Sequence, residues 1–178
     1  MKTYETERIF LRKIQIEDID DSFMEWFADE ELMKYYTNSR KKITKEDIVR
    51  TIEDGEKNSN CFTYGIFFKE NNKCIGTIKV GPINWVHKIS DLVVLIGNRN
   101  YHGMGLAVEA IQLGNLLCFE HYDLRKLFGG MYASNIASIK AYTKAGWIIE
   151  GQLKGHYLNE GNAEDRILVG CFNPKYFN

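Results

Sequence analysis

The stretch SDLVVLIGNRNYHGMGLAVEAIQLG, residues 90–114, does most to limit the folds open to this chain. Its first part, SDLVVLIG, is apolar at consecutive positions, so the strand it forms is covered on both faces and lies inside its sheet. The period then changes. From residue 103 to about 121, Leu106, Ala110, Leu113 and Leu117 recur on one side of a long helix. Gly103 and Gly105 stand at the junction, where a tight turn and a close approach to the backbone are easiest for residues without a Cβ.

The rest of the chain arranges itself around this unit. TERIFLRKIQ alternates about Ile9, Leu11 and Ile14, a first strand with one buried face. Ile19, Phe23, Trp26 and Phe27 form a helical stripe. TKEDIVRTIEDG predicts a second helix, with Thr44 and Asp47 in capping-box spacing and Gly55 placed to end it. Phe62, Tyr64, Ile66 and Phe68 alternate before the turn KENNK and the strand CIGTIKVG, which makes a hairpin followed by the loop GPINWVHK. KLFGGMY is a strand, and SNIASIKAYTKAGW a helix with Ser134 or Asn135 as N-cap and Gly146 as its stop. Two closing strands flank LNEGN. The order is β-α-α-β-β-β-α-β-α-β-β, with no repeat or linker, so residues 1–178 are expected to form one domain.

The composition, 44% hydrophobic and 26% charged with a formal net charge of -1 over 178 residues, belongs to a soluble globular chain. The one basic cluster, NSRKKITK, is short and followed by acidic residues, so a nucleic-acid partner is not expected. The N-terminus has no apolar signal core and no window is long and apolar enough to span a bilayer, which points to a cytoplasmic protein without a membrane partner. Cys61, Cys74, Cys118 and Cys171 form no metal-binding spacing, so no metal is expected and buried thiols are, with Cys61 and Cys74 the two that one hairpin could bring together.

A glycine turn between strand and helix exposes backbone N–H groups, and the helix start adds partial positive charge, a combination that attracts anions. The usual nucleotide motifs fail here. Gly105 is followed by Leu106 and Ala107, without the lysine and hydroxyl of a P-loop, and Val108 stands where a dinucleotide fingerprint needs a third small residue. Two glycines alone fit a turn without a ligand equally well.

RNYHGMGLAVEAI, followed by YASNIASIKAYTKAGW, resembles the GCN5-related N-acetyltransferases (GNAT), especially the branch around ribosomal-protein acetyltransferases of the RimJ/RimL type. The resemblance runs from TERIFLRKI to DRILVGCF. It implies an α+β, three-layer α/β/α fold: a mixed, mostly antiparallel twisted sheet of about seven strands flanked by about four helices. It implies acetyl-CoA as co-substrate, with the pyrophosphate on the backbone from Tyr101 through His102, Gly103, Met104, Gly105 and Leu106 to Ala107. Asn100 departs from the family's Gln/Arg at the first signature position. The resemblance further implies a strand splayed from its neighbour, with backbone groups of Val94, Leu95 and Ile96 on the pantetheine, and Asn135 and Ser138 beside the CoA arm. Tyr142 lies seven residues after Asn135 and four after Ser138, near the same helix face. By resemblance it protonates the departing thiolate. Asp91 stands where related sequences carry Glu, and His87 is a second candidate for the amine's base.

The acceptor pocket of such a fold would draw on Trp26, Tyr35, Tyr36, Trp85, His87 and Tyr157, with Glu30, Arg40 and Arg166 as charges. These aromatics suit stacking, and they equally suit a core. The sequence looks most similar to members that acetylate amino groups of nucleotide-linked sugars in bacterial glycan synthesis, so an amino sugar is the first expectation. A protein N-terminus or a polyamine is the alternative, and a non-catalytic acyl-CoA-binding module the alternative from another class. C-terminal strand edges could pair two subunits into a homodimer, though nothing in the sequence requires it.

Overall fold

The structure, a computed structural model, describes residues 3–36 and 42–177. The first alternating segment forms β2 (Ile9–Lys13), burying Ile9 and Leu11 and pairing with the two-residue β1 (Tyr4–Glu5). The helical stripe is α1 (Asp21–Ala28), whose N-cap Asp20 accepts from the Phe23 N–H at 2.9 Å. A single turn, α2 (Glu30–Met33), follows under its own cap, Asp29. The capping box at Thr44 and Asp47 opens α3 (Lys45–Lys57).

Gly55 does not end α3, which continues two residues past it. A Cβ there would strike the Cys61 carbonyl, whose segment folds back onto the helix, so the glycine answers a packing need and not a stop signal. The hairpin is β3 (Phe62–Phe68) and β4 (Lys73–Val80). Phe62 pairs with Val80 and Phe67 with Cys74, which puts Cys61 and Cys74 at opposite ends of it, and all four cysteines are free.

SDLVVLIG becomes β5 (Ile89–Ile96), with Leu92 buried at the sheet's centre. The following helix does not begin at residue 103. Gly103 and Gly105 have φ of +75° and +78°, outside the helical region, and α4 (Leu106–Leu116) starts only after them. It continues as a wider turn over Leu117–His121. β6 (Lys126–Tyr132), α5 (Ile136–Lys144), β7 (Ile148–Asn159) and β8 (Asn162–Phe172) complete the chain. Asn135 caps α5 by accepting from the Ser138 N–H at 3.2 Å, and Gly146, at φ +93°, turns the chain out of it.

The eight strands run β1-β2-β3-β4-β5-β6-β8-β7, antiparallel except for the parallel pair β5 and β6. The fold is the expected mixed α/β architecture; β1 and α2 are additions too short to leave a periodic signal. One face of the sheet carries the main core, where Ile78, Leu92 and Leu127 meet Leu106, Ile111 and Leu117 of the α4 segment. The other carries a smaller cluster of Ile14, Ile19, Phe23 and Trp26. Among the described residues no helix is long and apolar enough to cross a membrane.

Candidate active site

The parallel pairing of β5 with β6 lasts three residues, Ile89↔Lys126, Ser90↔Leu127 and Asp91↔Phe128. Beyond Asp91 the strands separate. Backbone groups of β5 alternate in direction: Gly81 N–H reaches the Asp91 carbonyl and Gly97 N–H the Ile75 carbonyl, both on the β4 side. The groups of Leu92, Val94 and Ile96 therefore face the gap.

Side chains satisfy part of this bare edge. The Tyr142 hydroxyl donates to the Leu92 carbonyl at 2.8 Å and accepts from the Val94 N–H at 3.2 Å. A His102 ring nitrogen lies 2.7 Å from the Ile96 carbonyl. Among the described residues the Val94 carbonyl and Ile96 N–H have no strand partner, and they are the two groups an extended amide-bearing ligand would take.

A cleft of about 340 Å³ fills the gap, bounded by β5, the glycine turn, the start of α4 and the start of α5. Every residue expected against CoA lines it except Met104, which is 42% exposed and turned away. Leu32 of α2, not foreseen, also borders it. Two helix N-termini converge here, α4 behind Gly105 and α5 behind Asn135, so N–H groups and dipoles favour an anion. Among the described residues beyond its own chain neighbours, a Cβ at Gly103 would meet nothing within 4 Å, and one at Gly105 only the Arg8 guanidinium at 3.8 Å. That open cradle fits a diphosphate. The Arg8 charge is already engaged, with Nε 2.9 Å from Glu109 Oε1. Asn100 lies outside the cleft, in a turn braced by Arg99 on Asp29.

Tyr142 is buried, its ring edge-on to Trp147 at 4.8 Å. Burial, helped by the Asp91 charge, pushes the phenol's pKa well up, so it holds its proton throughout the neutral range. Asp91 is the last paired residue before the gap. Burial raises its carboxyl too, against opposing pulls from the Leu92 N–H, Lys79 and Arg166. A half-buried carboxylate and a buried phenol thus sit within electrostatic reach of each other where the strands part.

On the Asp91 side, Tyr132 stacks on Tyr157 at 4.1 Å and meets Tyr35 at 5.6 Å, and the Tyr35 hydroxyl donates to the Ser134 carbonyl at 3.3 Å. Tyr36, half-buried, has its pKa raised by burial and then by the Cys61 and Asp91 charges. Arg166, the cross-strand partner of Tyr132, lies over Tyr157 at 5.7 Å. Tyr132 and Lys79 were missing from the expected set. The alternation in KLFGGMY places Tyr132 on one face, but only the β6–β8 register shows that Arg166 shares it.

The other candidates lie elsewhere. His87 is exposed before β5, its N–H on Asn84 Oδ1 at 3.0 Å, and lines none of the cleft. Trp85 donates to the Ser59 carbonyl at 2.9 Å and packs near Tyr122, because the loop folds toward the end of the first hairpin. Trp26 is buried on Gly97, where a Cβ would strike the indole, and belongs to the smaller core. Glu30 is exposed on α2, and Arg40 lies outside the described residues.

The family model for the acetyltransferase (GNAT) domain matches residues 8–148. An uncharacterized N-acetyltransferase p20 from Bacillus licheniformis is 27% identical over 178 residues, 99% of each chain. The spermidine N-acetyltransferase from Vibrio cholerae, solved with CoA and spermine, superposes with a TM-score of 0.85 at 17% identity, covering 97% of this chain and 100% of that one. The ribosomal-protein-S5-alanine acetyltransferase from Vibrio fischeri gives a TM-score of 0.82 at 20% identity over 100% of both chains. With that family model spanning most of the chain, and with a sheet that opens beside a glycine turn, the protein belongs to the GNAT family of acetyltransferases.

Proposed function

We propose that the chain transfers the acetyl group of acetyl-CoA to a primary amine docked on the tyrosine-lined side of Asp91, by direct attack of the amine on the thioester. The observation that carries this is the end of β5–β6 pairing at Asp91, which leaves strand backbone, two helix N-termini and Tyr142 around one cleft, with Asp91 at the point where the strands part. Acetyl-CoA supplies the activated acetyl thioester. The chain's residues supply the rest. N–H groups of the glycine turn hold the diphosphate, while the Val94 carbonyl and Ile96 N–H align the pantetheine along β5. Asp91 takes the amine's proton, directly or through one water, as the C–N bond forms. Tyr142 gives its proton to the sulfur as the C–S bond breaks, and the Leu92 carbonyl holds that hydroxyl in place until then.

For the acceptor we favour the amino group of a sugar. Tyr132, Tyr157 and Tyr35 offer flat rings, against which sugars pack, beside the carboxylate assigned as the base. The polyamine reading takes its support from the spermidine acetyltransferases among the relatives, and the N-terminal reading from the ribosomal-protein enzyme. Release of free thiol from acetyl-CoA with a UDP-linked amino sugar, spermidine and short peptides side by side is the test. Turnover confined to the sugar amine supports this acceptor, turnover with spermidine alone replaces it, and acetyl-CoA binding without thiol release for any amine replaces the enzyme by a binding module.

A further inference from the structure

Among the described residues, Arg166 on the acceptor face has no ion-pair partner; the Asp91 carboxylate feels its charge without contacting it. Its own strand supplies two carboxylates, and both are committed elsewhere: Glu164 accepts the Ser134 N–H at 2.7 Å and the Asn159 amide at 2.7 Å, and Asp165 accepts the Gly155 N–H at 2.7 Å. Among the described residues no carboxylate lies within ion-pair distance of the Arg166 guanidinium, and His156 Nε2, 3.5 Å from Nη1, is its only polar side-chain neighbour at hydrogen-bonding range. Arg166 Nε is fully buried and has no hydrogen-bond partner.

The fold makes room for this arrangement deliberately in one place. The guanidinium lies against β6 at Gly130, where a Cβ would overlap it. It is thereby held over Tyr157, next in the sheet to Tyr132 and close enough to Asp91 to stabilise that carboxylate. Nε is enclosed against the strand, so the guanidinium meets a ligand through its outer nitrogens, and it is the side chain best matched to a carboxylate or phosphate. Lys79, the other cation within reach of Asp91, adds to the positive field.

We propose that Arg166 is a specificity residue that grips an anionic group on the acceptor, a phosphate or a carboxylate, so that the substrate is an amine bearing negative charge. The assignment rests on the acetyltransferase reading above and narrows it. A polycation would bring its second amine into the field of Arg166 and Lys79, whereas a sugar phosphate or nucleotide-linked sugar would bring the missing partner.

The test compares matched acceptors: glucosamine against glucosamine 6-phosphate for a phosphate, propylamine against β-alanine for a carboxylate, and spermidine as the cation. The readouts are thiol release and calorimetric binding of each amine to the protein already saturated with CoA. The expected result is a kcat/KM ratio of anionic to neutral form of ~10–100 in at least one pair, which shows which anion is gripped, with the same preference in binding. In Arg166→Gln that ratio falls toward one, while Arg166→Lys, which keeps the charge and loses the fork, keeps part of it; thermal melting checks that both variants are folded. A change only in the charge state of Asp91 would slow all the amines alike and leave the ratio intact, which overturns the proposal. So does a wild-type preference for spermidine or for the neutral forms. Acetyl-CoA binding without thiol release from any amine overturns the enzymatic reading itself, a different outcome from turnover without anion preference.

Discussion

The proposed acid–base chemistry rests on Tyr142 and Asp91, and their places differ in how far the sequence disclosed them. The family resemblance pointed to Tyr142, and helical spacing placed it near one face with Ser138 and the N-cap Asn135, all three of which line the cleft. Its bonds to the Leu92 carbonyl and Val94 N–H were not legible, because they join residues about fifty positions apart across a gap that only the sheet register defines. Those bonds give the side chain two duties. Tyr142→Phe is expected to lower kcat by ~10²–10⁴ through loss of the proton donor, and also to lower the melting temperature, because the Leu92 carbonyl and Val94 N–H lose a buried partner. For Asp91 the sign follows from its raised pKa. The base works deprotonated, so kcat/KM rises with pH through a value above the ordinary aspartate range, and Asp91→Asn removes that acidic limb along with most of the rate. A pH profile that keeps the limb in Asp91→Asn assigns the proton to another group.

The central element is β5 with the turn that follows it. Continuous apolar character announced an inner strand, and the glycines announced a tight exit, but nothing local could show that its neighbour departs after Asp91. The start of α4 shows the same limit. Leu106, Ala110 and Leu113 mark the helix correctly, while its first turn is decided by backbone angles, with Gly105 at φ +78° serving as cap. Gly105→Val forces a β-branched residue into that left-handed conformation, at a cost of ~1–3 kcal/mol. Affinity for acetyl-CoA, measured by calorimetry, is expected to fall at least ~10-fold, as either the cradle distorts or a side chain intrudes on it. Unchanged affinity would move the diphosphate away from this turn. The same reasoning explains Trp85 and Trp26. The resembled fold placed both among candidate pocket aromatics, with a core role equally open, and tertiary packing holds one at the Ser59 carbonyl and the other on Gly97.

On the scale of the whole molecule, the eight-stranded sheet separates two tasks. One face is occupied by α4, α5 and the larger core, which fix the two helix N-termini relative to β5. The other leaves Asp91, the tyrosines and Arg166 between the early helices and the last hairpin. A second concavity, lined by Asp20, Glu25 and Asp29 beside Trp26, lies on the far side of the Arg99 turn and has no part in the chemistry proposed here. On the reading proposed above, acetyl-CoA occupies the opening between β5 and β6, and amide hydrogen exchange with and without acetyl-CoA tests this most directly. Slowed exchange in segments covering residues 94–107 and 135–142, with the acidic concavity unaffected, is the predicted result; binding that leaves residues 94–107 unprotected, or that protects the acidic concavity instead, contradicts it.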